Sequence, residues 1–220
     1  FAPDLYARDG ARPAPLARER VEELKAFLNQ LPPALSATVF RDPKAREAAL
    51  AERPGAERAC LGATMEMLFA GLATGGLRFD DYVPQLVATT AFLRRDFPPT
   101  HAQKVGAVGF CMGGGLAALL ACHDPELAAA AIFYGSVPPA ALIPGIRCPV
   151  TGFYAALDKR ITDAVPAFAD AMRAEGKTFE PHVYEGAQHA FFNDTRASYD
   201  VRAARDAFAR ALDLFRRTLP

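Results

Sequence analysis

The stretch Gly109-Phe-Cys-Met-Gly-Gly-Gly115 constrains this chain most, because it joins a strand to a helix with few side chains in between. Before it, Lys104-Val-Gly-Ala-Val-Gly-Phe110 is an apolar run of strand length; after it a small-residue helix continues to about His123. A turn this sharp lifts one side chain above a sheet and crowds its neighbours, so glycine two residues to either side, at Gly109 and Gly113, is expected. Gly114, Gly115, Ala117 and Ala118 let the helix pack closely on the sheet. Cys111 then stands at a helix N-terminus, where the dipole favours thiolate over thiol. The backbone N–H of Met112 is the natural donor to a developing oxyanion. A phosphate-binding glycine turn and plain tight packing are the competing readings, although neither G-x-x-x-x-G-K-[ST] nor G-x-G-x-x-G fits here.

The second half of the chain alternates regularly around this turn. Strands are expected at Ala129–Tyr134, Pro149–Tyr154 and Phe179–Tyr184, the last with Phe179, Pro181 and Val183 on one face and Glu180, His182 and Tyr184 on the other. Helical spacing runs from Ala164 to Glu175 and from Tyr199 to Leu219, with Val201, Ala204, Phe208, Leu212 and Phe215 as the apolar stripe of the latter. Apolar strands separated by helices predict an α/β fold, a mostly parallel sheet with helices on both faces. Earlier in the chain, Phe1-Ala-Pro-Asp-Leu-Tyr reads as the tail of a strand and Leu16–Leu31 as a helix. Residues 43–73 read as two helical pieces broken at Pro54-Gly55, and 79–95 as the helix feeding the strand at Val105. Residues 35–76 otherwise follow no pattern, and with no repeat or flexible linker the reading is one domain, 1–220.

Composition narrows the function. Lys+Arg and Asp+Glu both number 25 in 220 residues, and no basic stripe forms, so a nucleic-acid partner is not expected. No apolar run approaches the roughly 20 residues that span a bilayer. The four cysteines, Cys60, Cys111, Cys122 and Cys148, form no C-x-x-C pair, which speaks against a metal site or a disulfide scaffold and for a reduced, cytoplasmic chain. Cys60, Cys122 and Cys148 read as packing residues.

Two residues complete the chemistry suggested by Cys111. Asp158 follows the strand ending at Tyr154, and His189 follows the strand ending at Tyr184, so both lie just past strand C-terminal ends. The order nucleophile, acid, histidine is that of a hydrolytic triad on an open α/β sheet. In it His189 moves the proton and Asp158 fixes the tautomer. Asp158 as a turn residue and His189 as a solvated one are the plainer alternatives. His101 in a Pro-Pro-Thr loop, His123 at a helix end and His182 on an outward strand face do not occupy such a position.

These residues resemble the dienelactone hydrolases (carboxymethylenebutenolidase-like proteins), members of the α/β-hydrolase superfamily. The likeness runs from Ala2-Pro-Asp-Leu-Tyr6 through Val105–Gly114 to Tyr184-Glu-Gly-Ala-Gln-His-Ala-Phe-Phe192. It implies a cofactor-free hydrolase of small lactones or carboxylic esters that acts through a thiol acyl-enzyme on Cys111. In that family several sheet strands, and a loop carrying a second oxyanion donor, precede the Ala-Pro-Asp-Leu-Tyr segment. The chain therefore reads as apparently lacking its N-terminal strands, and a longer protein or a rebuilt edge is expected. Dienelactone-specific members place an arginine four residues past the histidine to hold the substrate carboxylate; here that position is Asn193. Neutral esters are accordingly expected to be processed at least as well as anionic ones. Asn193, Phe191, Tyr134, Arg41 and Arg46 are the candidate substrate-binding residues. A class I glutamine amidotransferase would need a glutamate where Phe191 stands, and a binding or redox-sensing protein using Cys111 would need neither Asp158 nor His189.

Overall fold

The computed structural model describes residues 1–7, 10–32, 35, 38, 39, 42–73 and 82–220. Where the sequence suggested one domain, contacts cluster in two compact units, Phe1–Arg78 and Phe79–Pro220.

The first unit is helical. It holds α1 (Arg18–Gln30), α2 (Pro43–Leu50) and α3 (Gly55–Ala73), with Pro43 as the first helical residue of α2 and the Asp42 carboxylate accepting from Lys44 N–H as its cap. Leu24, Phe27, Val39, Leu50, Leu61 and Met65 form its core. Phe1-Ala-Pro-Asp, expected as a strand tail, takes no strand pairing among the described residues. Instead the Asp4 carboxylate accepts from the Tyr6 N–H and from Arg12 Nε, which closes a turn.

The second unit follows the expected alternation: α4 (Val83–Arg95), β1 (Gly106–Phe110), α5 (Met112–His123), β2 (Ala129–Phe133), β3 (Val150–Ala155), α6 (Lys159–Thr162), α7 (Val165–Ala174), β4 (Phe179–Tyr184) and α8 (Val201–Thr218). Among the described residues its sheet has four strands in the order β1-β2-β3-β4, and every pairing is parallel. About five strands were expected; the missing one is the Phe1 segment. On one face Ala130, Ile132, Val150 and Tyr154 meet Leu120 of α5 and Phe168 and Met172 of α7. On the other, Ala129, Phe133, Phe153 and Ala155 meet Ala203, Ala207, Ala211 and Leu214 of α8. β2 and β3 are buried at every position, as sheet strands covered on both faces must be. β1 is an edge strand on which Val108 is 51% and Phe110 41% exposed.

The apolar stripe expected on α8 is rotated from the observed one. Ala203, Ala204, Ala207, Ala211 and Leu214 are buried, whereas Val201, Phe208 and Leu212 are exposed. The sheet face beneath already carries the rings of Phe133 and Phe153, so the helix approaches on its alanines. His182, expected to face outward, is half-buried and stacked on Phe153 at 5.6 Å between ring centroids. Behind the sheet, α4 is tied to the end of α5 by Asp124, whose carboxylate accepts from Arg94 at 3.0 and 3.1 Å and from the Thr90 hydroxyl at 2.6 Å. No helix of the described residues is long and apolar enough to cross a membrane.

Candidate active site

A parallel sheet puts the C-terminal ends of all its strands on one side, and three of those ends carry the candidate triad. Cys111 follows β1 directly, with φ 55° and ψ −116°, outside the regions a side-chain-bearing residue ordinarily occupies. Its N–H donates to Phe133 O at 2.9 Å and its carbonyl accepts from Gly114 N–H at 3.0 Å. The turn is therefore held from both sides, and the strained residue stands exposed at the strand end. Glycine is required here at Gly109, where an added Cβ would run into the carbonyl of Gly113. The crowding expected at Gly113 is not there: a Cβ on that residue meets nothing. Gly114 and Gly135 abut, so α5 starts directly against the end of β2.

Asp158 caps α6 just past β3, and Leu157 N–H donates to Ala187 O across to the histidine loop. His189 follows β4 beyond Gly186, whose φ is +74°. The Asp158 carboxylate lies 2.6 Å from His189 Nδ1, and His189 Nε2 lies 3.1 Å from Cys111 Sγ. The residues matched by order alone are thus joined in one chain of contacts.

The electrostatics favour a charged pair. Burial disfavours the Cys111 thiolate, but the hydrogen bond and charge of His189, the Met112 N–H and the Arg160 charge outweigh it and bring the thiol below its ordinary value. Burial likewise disfavours imidazolium at His189. The bonds to Asp158 and Cys111 prevail and raise it to about 9. Each shift favours the charged form of its group, thiolate on Cys111 and imidazolium on His189. Burial pushes the thiols of Cys122 and Cys148 up to about 11, leaving them inert as expected. Cys60 is exposed on α3 of the first unit.

The other candidates divide. Tyr134, at the end of β2 with φ 39°, is buried and sets its ring edge-on to His189 at 5.1 Å; burial raises its hydroxyl to about 12. It walls the imidazole. Phe191 is 0% exposed and packs between Tyr134 and Tyr184, so it is core and not a substrate contact. Its neighbour Phe192 is half-buried against Phe110 and Phe133. Asn193 spends its side-chain oxygen on the Thr195 N–H and hydroxyl, closing a local turn. Arg46 lies on α2 of the first unit, half-buried, while the triad is built wholly from the second. Arg41 lies outside the described residues. Reading the sequence missed Phe110, Phe192 and Arg160. A cation two residues past the acid was the one available signal.

The two shifted groups set a pH profile. Lowering the thiol keeps Cys111 ionised at pH values where an ordinary thiol, near 8.5, is protonated. Raising His189 keeps its proton until pH climbs through about 9. Alkylation of Cys111 by iodoacetamide is therefore expected to reach half its plateau at a lower pH than an ordinary thiol does, and ester turnover to rise with the thiolate and decline as pH passes about 9. Mass mapping of the Cys111 adduct over time checks this; a half-plateau at 8.5 or above rules out the charged pair.

Known proteins are similar to this chain over half of its length or more. A protein of Saccharolobus solfataricus provisionally named a carboxymethylenebutenolidase is 42% identical over 116 residues, 52% of this chain and 45% of its own. One of Methylorubrum extorquens with the same provisional name is 36% identical over 124 residues, 51% of this chain and 43% of its own. The chain thus spans a little under half the length of these curated relatives. A Klebsiella pneumoniae crystal structure, provisionally named a dienelactone hydrolase, superposes with a TM-score of 0.61 at 29% identity, covering 70% of this chain and 66% of that one. The fold is of the α/β-hydrolase type. The model of the dienelactone hydrolase family matches residues 1–219, and the chain belongs to that family.

Proposed function

We propose that this chain cleaves small carboxylic esters or lactones through a Cys111-His189-Asp158 triad and a thiol acyl-enzyme. The observation that carries the reading is the continuous chain from Asp158 Oδ2 through His189 to Cys111 Sγ, with contacts of 2.6 and 3.1 Å, at the C-terminal edge of the sheet. The Cys111 thiolate attacks the acyl carbon, and the Met112 N–H donates to the oxyanion that forms. His189 gives its proton to the departing alkoxide, then takes one from the water that cleaves the thioester, while Asp158 holds the imidazolium. For a lactone the leaving alkoxide stays attached, and one ring opens per turnover. No cofactor enters this scheme. A cytoplasmic setting, which keeps the thiols reduced, is part of the proposal.

The test is hydrolysis of an aryl acetate and of a simple lactone by the purified chain, with an acid quench during the burst and intact-mass analysis. An acyl adduct on Cys111 that turns over is the expected result. A redox-sensing protein would give neither turnover nor adduct.

A further inference from the structure

Among the described residues no strand pairs with the outer side of β1. On its inner side the Val105 carbonyl accepts from Ala128 N–H, and Cys111 N–H donates to Phe133 O. Backbone groups alternate along a strand, so the odd-numbered residues serve β2. The N–H and C=O groups of Gly106, Val108 and Phe110 then point to the open side. All three residues share the α8 face of the sheet: Gly106 lies under Phe215, and Phe110 packs on Phe133. Val108 and Phe110 are nonetheless exposed.

α8 borders the same opening. It runs antiparallel to the strands, since Asp206 meets Tyr184 and, one turn on, Arg210 meets Glu180. Its end seats Phe215 and Leu219 against Gly106. Leu212 and Phe208 stand on the flank of Phe215, about 4.5 and 10.5 Å back along the helix. Val108 and Phe110 lie about 7 and 13 Å up β1 from Gly106, so the two rows rise side by side. Leu212 and Phe208 are exposed too, and the apolar flank of α8 therefore lines an uncovered strand.

We propose that a second copy of this chain covers this face, pairing β1 with β1 antiparallel about a two-fold axis at Val108. In that register all three open residues find partners, and each facing pair exchanges its N–H and C=O bonds. Phe110 of one copy faces Gly106 of the other, which has no side chain to crowd the ring, and Val108 faces Val108. Phe208 and Leu212 of both copies close over the joined strands. The exposed parts of these side chains and the backbone edge amount to on the order of 500 Å² per copy, the small end of specific interfaces. Association is accordingly weak, with dissociation in the micromolar range. The inference does not depend on the esterase reading.

Sedimentation of the purified chain across the micromolar range tests this. The wild type is expected to pass from one chain mass to two as concentration rises. Val108→Lys and Val108→Glu should each stay at one chain mass, because like charges meet on the axis. An equal mixture of the two should regain the two-chain species, which happens only if position 108 faces itself. Phe208→Lys, on the helix surface, should weaken association about ten-fold. A wild type of one chain mass throughout overturns the proposal, as does a dimer that survives both charged variants or a mixture that stays at one chain mass. If circular dichroism shows either β1 variant unfolded, Phe208→Lys decides, and unchanged association in it overturns the proposal.

Discussion

Cys111→Ala is expected to lower kcat on an aryl ester by on the order of 10⁵–10⁶, with the fold intact. Nucleophile removal has that scale when a triad acts as a unit. The side chain is exposed, so its truncation empties no core. The same variant removes the fast-alkylating thiol. Cys122 and Cys148 stay silent because burial holds them protonated, and exposed Cys60 lacks a histidine partner. Cys111→Ser is expected to recover little, because a serine hydroxyl does not ionise beside an imidazolium as a thiol does. The measurement is kcat with intact-mass trapping and circular dichroism as a check on folding. Activity above about a tenth of wild type in Cys111→Ala would move the nucleophile elsewhere.

Asp158→Asn is expected to cost on the order of 10³–10⁴ in kcat. The carboxylate 2.6 Å from Nδ1 holds the ring with its Nε2 toward sulfur, and an amide can present its N–H and reverse the tautomer. The substitution also withdraws one of the two bonds that raise His189 to about 9, so the descending limb of the pH profile should shift to lower pH. His189→Ala should be about as damaging, and the double variant little worse than either alone. Rates multiplying in the double variant would show that the two residues act separately. Thermal unfolding distinguishes the alternative in which Asp158 serves only to start α6. In that case stability would fall and the pH profile would stay in place.

The sequence by itself determined the alternation of strands and helices, the turn at Cys111 and the identity of its partners. Those features are local: a period of apolar residues, a glycine that no other residue can replace at Gly109, and the placement of Asp158 and His189 just past strand ends. The extended character of β2 and β3 was legible because a strand covered on both faces must be apolar throughout. The Phe1 segment was misread because a short apolar stretch looks alike as a strand or as a turn, and the Asp4–Arg12 pair across it decides the matter. The apolar stripe of α8 was misplaced for a related reason. Spacing marks apolar residues, but which of them face inward depends on the rings already seated on the sheet, and over Phe133 and Phe153 the helix packs mainly on small alanines, with Leu214 beside them.

Only the tertiary structure could sort the aromatic residues at the site. Phe191 and Phe192 are indistinguishable in sequence, yet the first is sealed between Tyr134 and Tyr184 and the second lies beside Phe110 at the surface. Tyr134, a candidate for substrate contact, sets its ring edge-on against the imidazole of His189. The charge environment of the thiol was equally out of reach. It depends on His189, 78 positions away in the chain, and on Arg160, which lies near Cys111 because β1 and β3 both pair with β2 in parallel register. The residue types were written in the chain, but electrostatic influence acts through distance, and the fold decides distance.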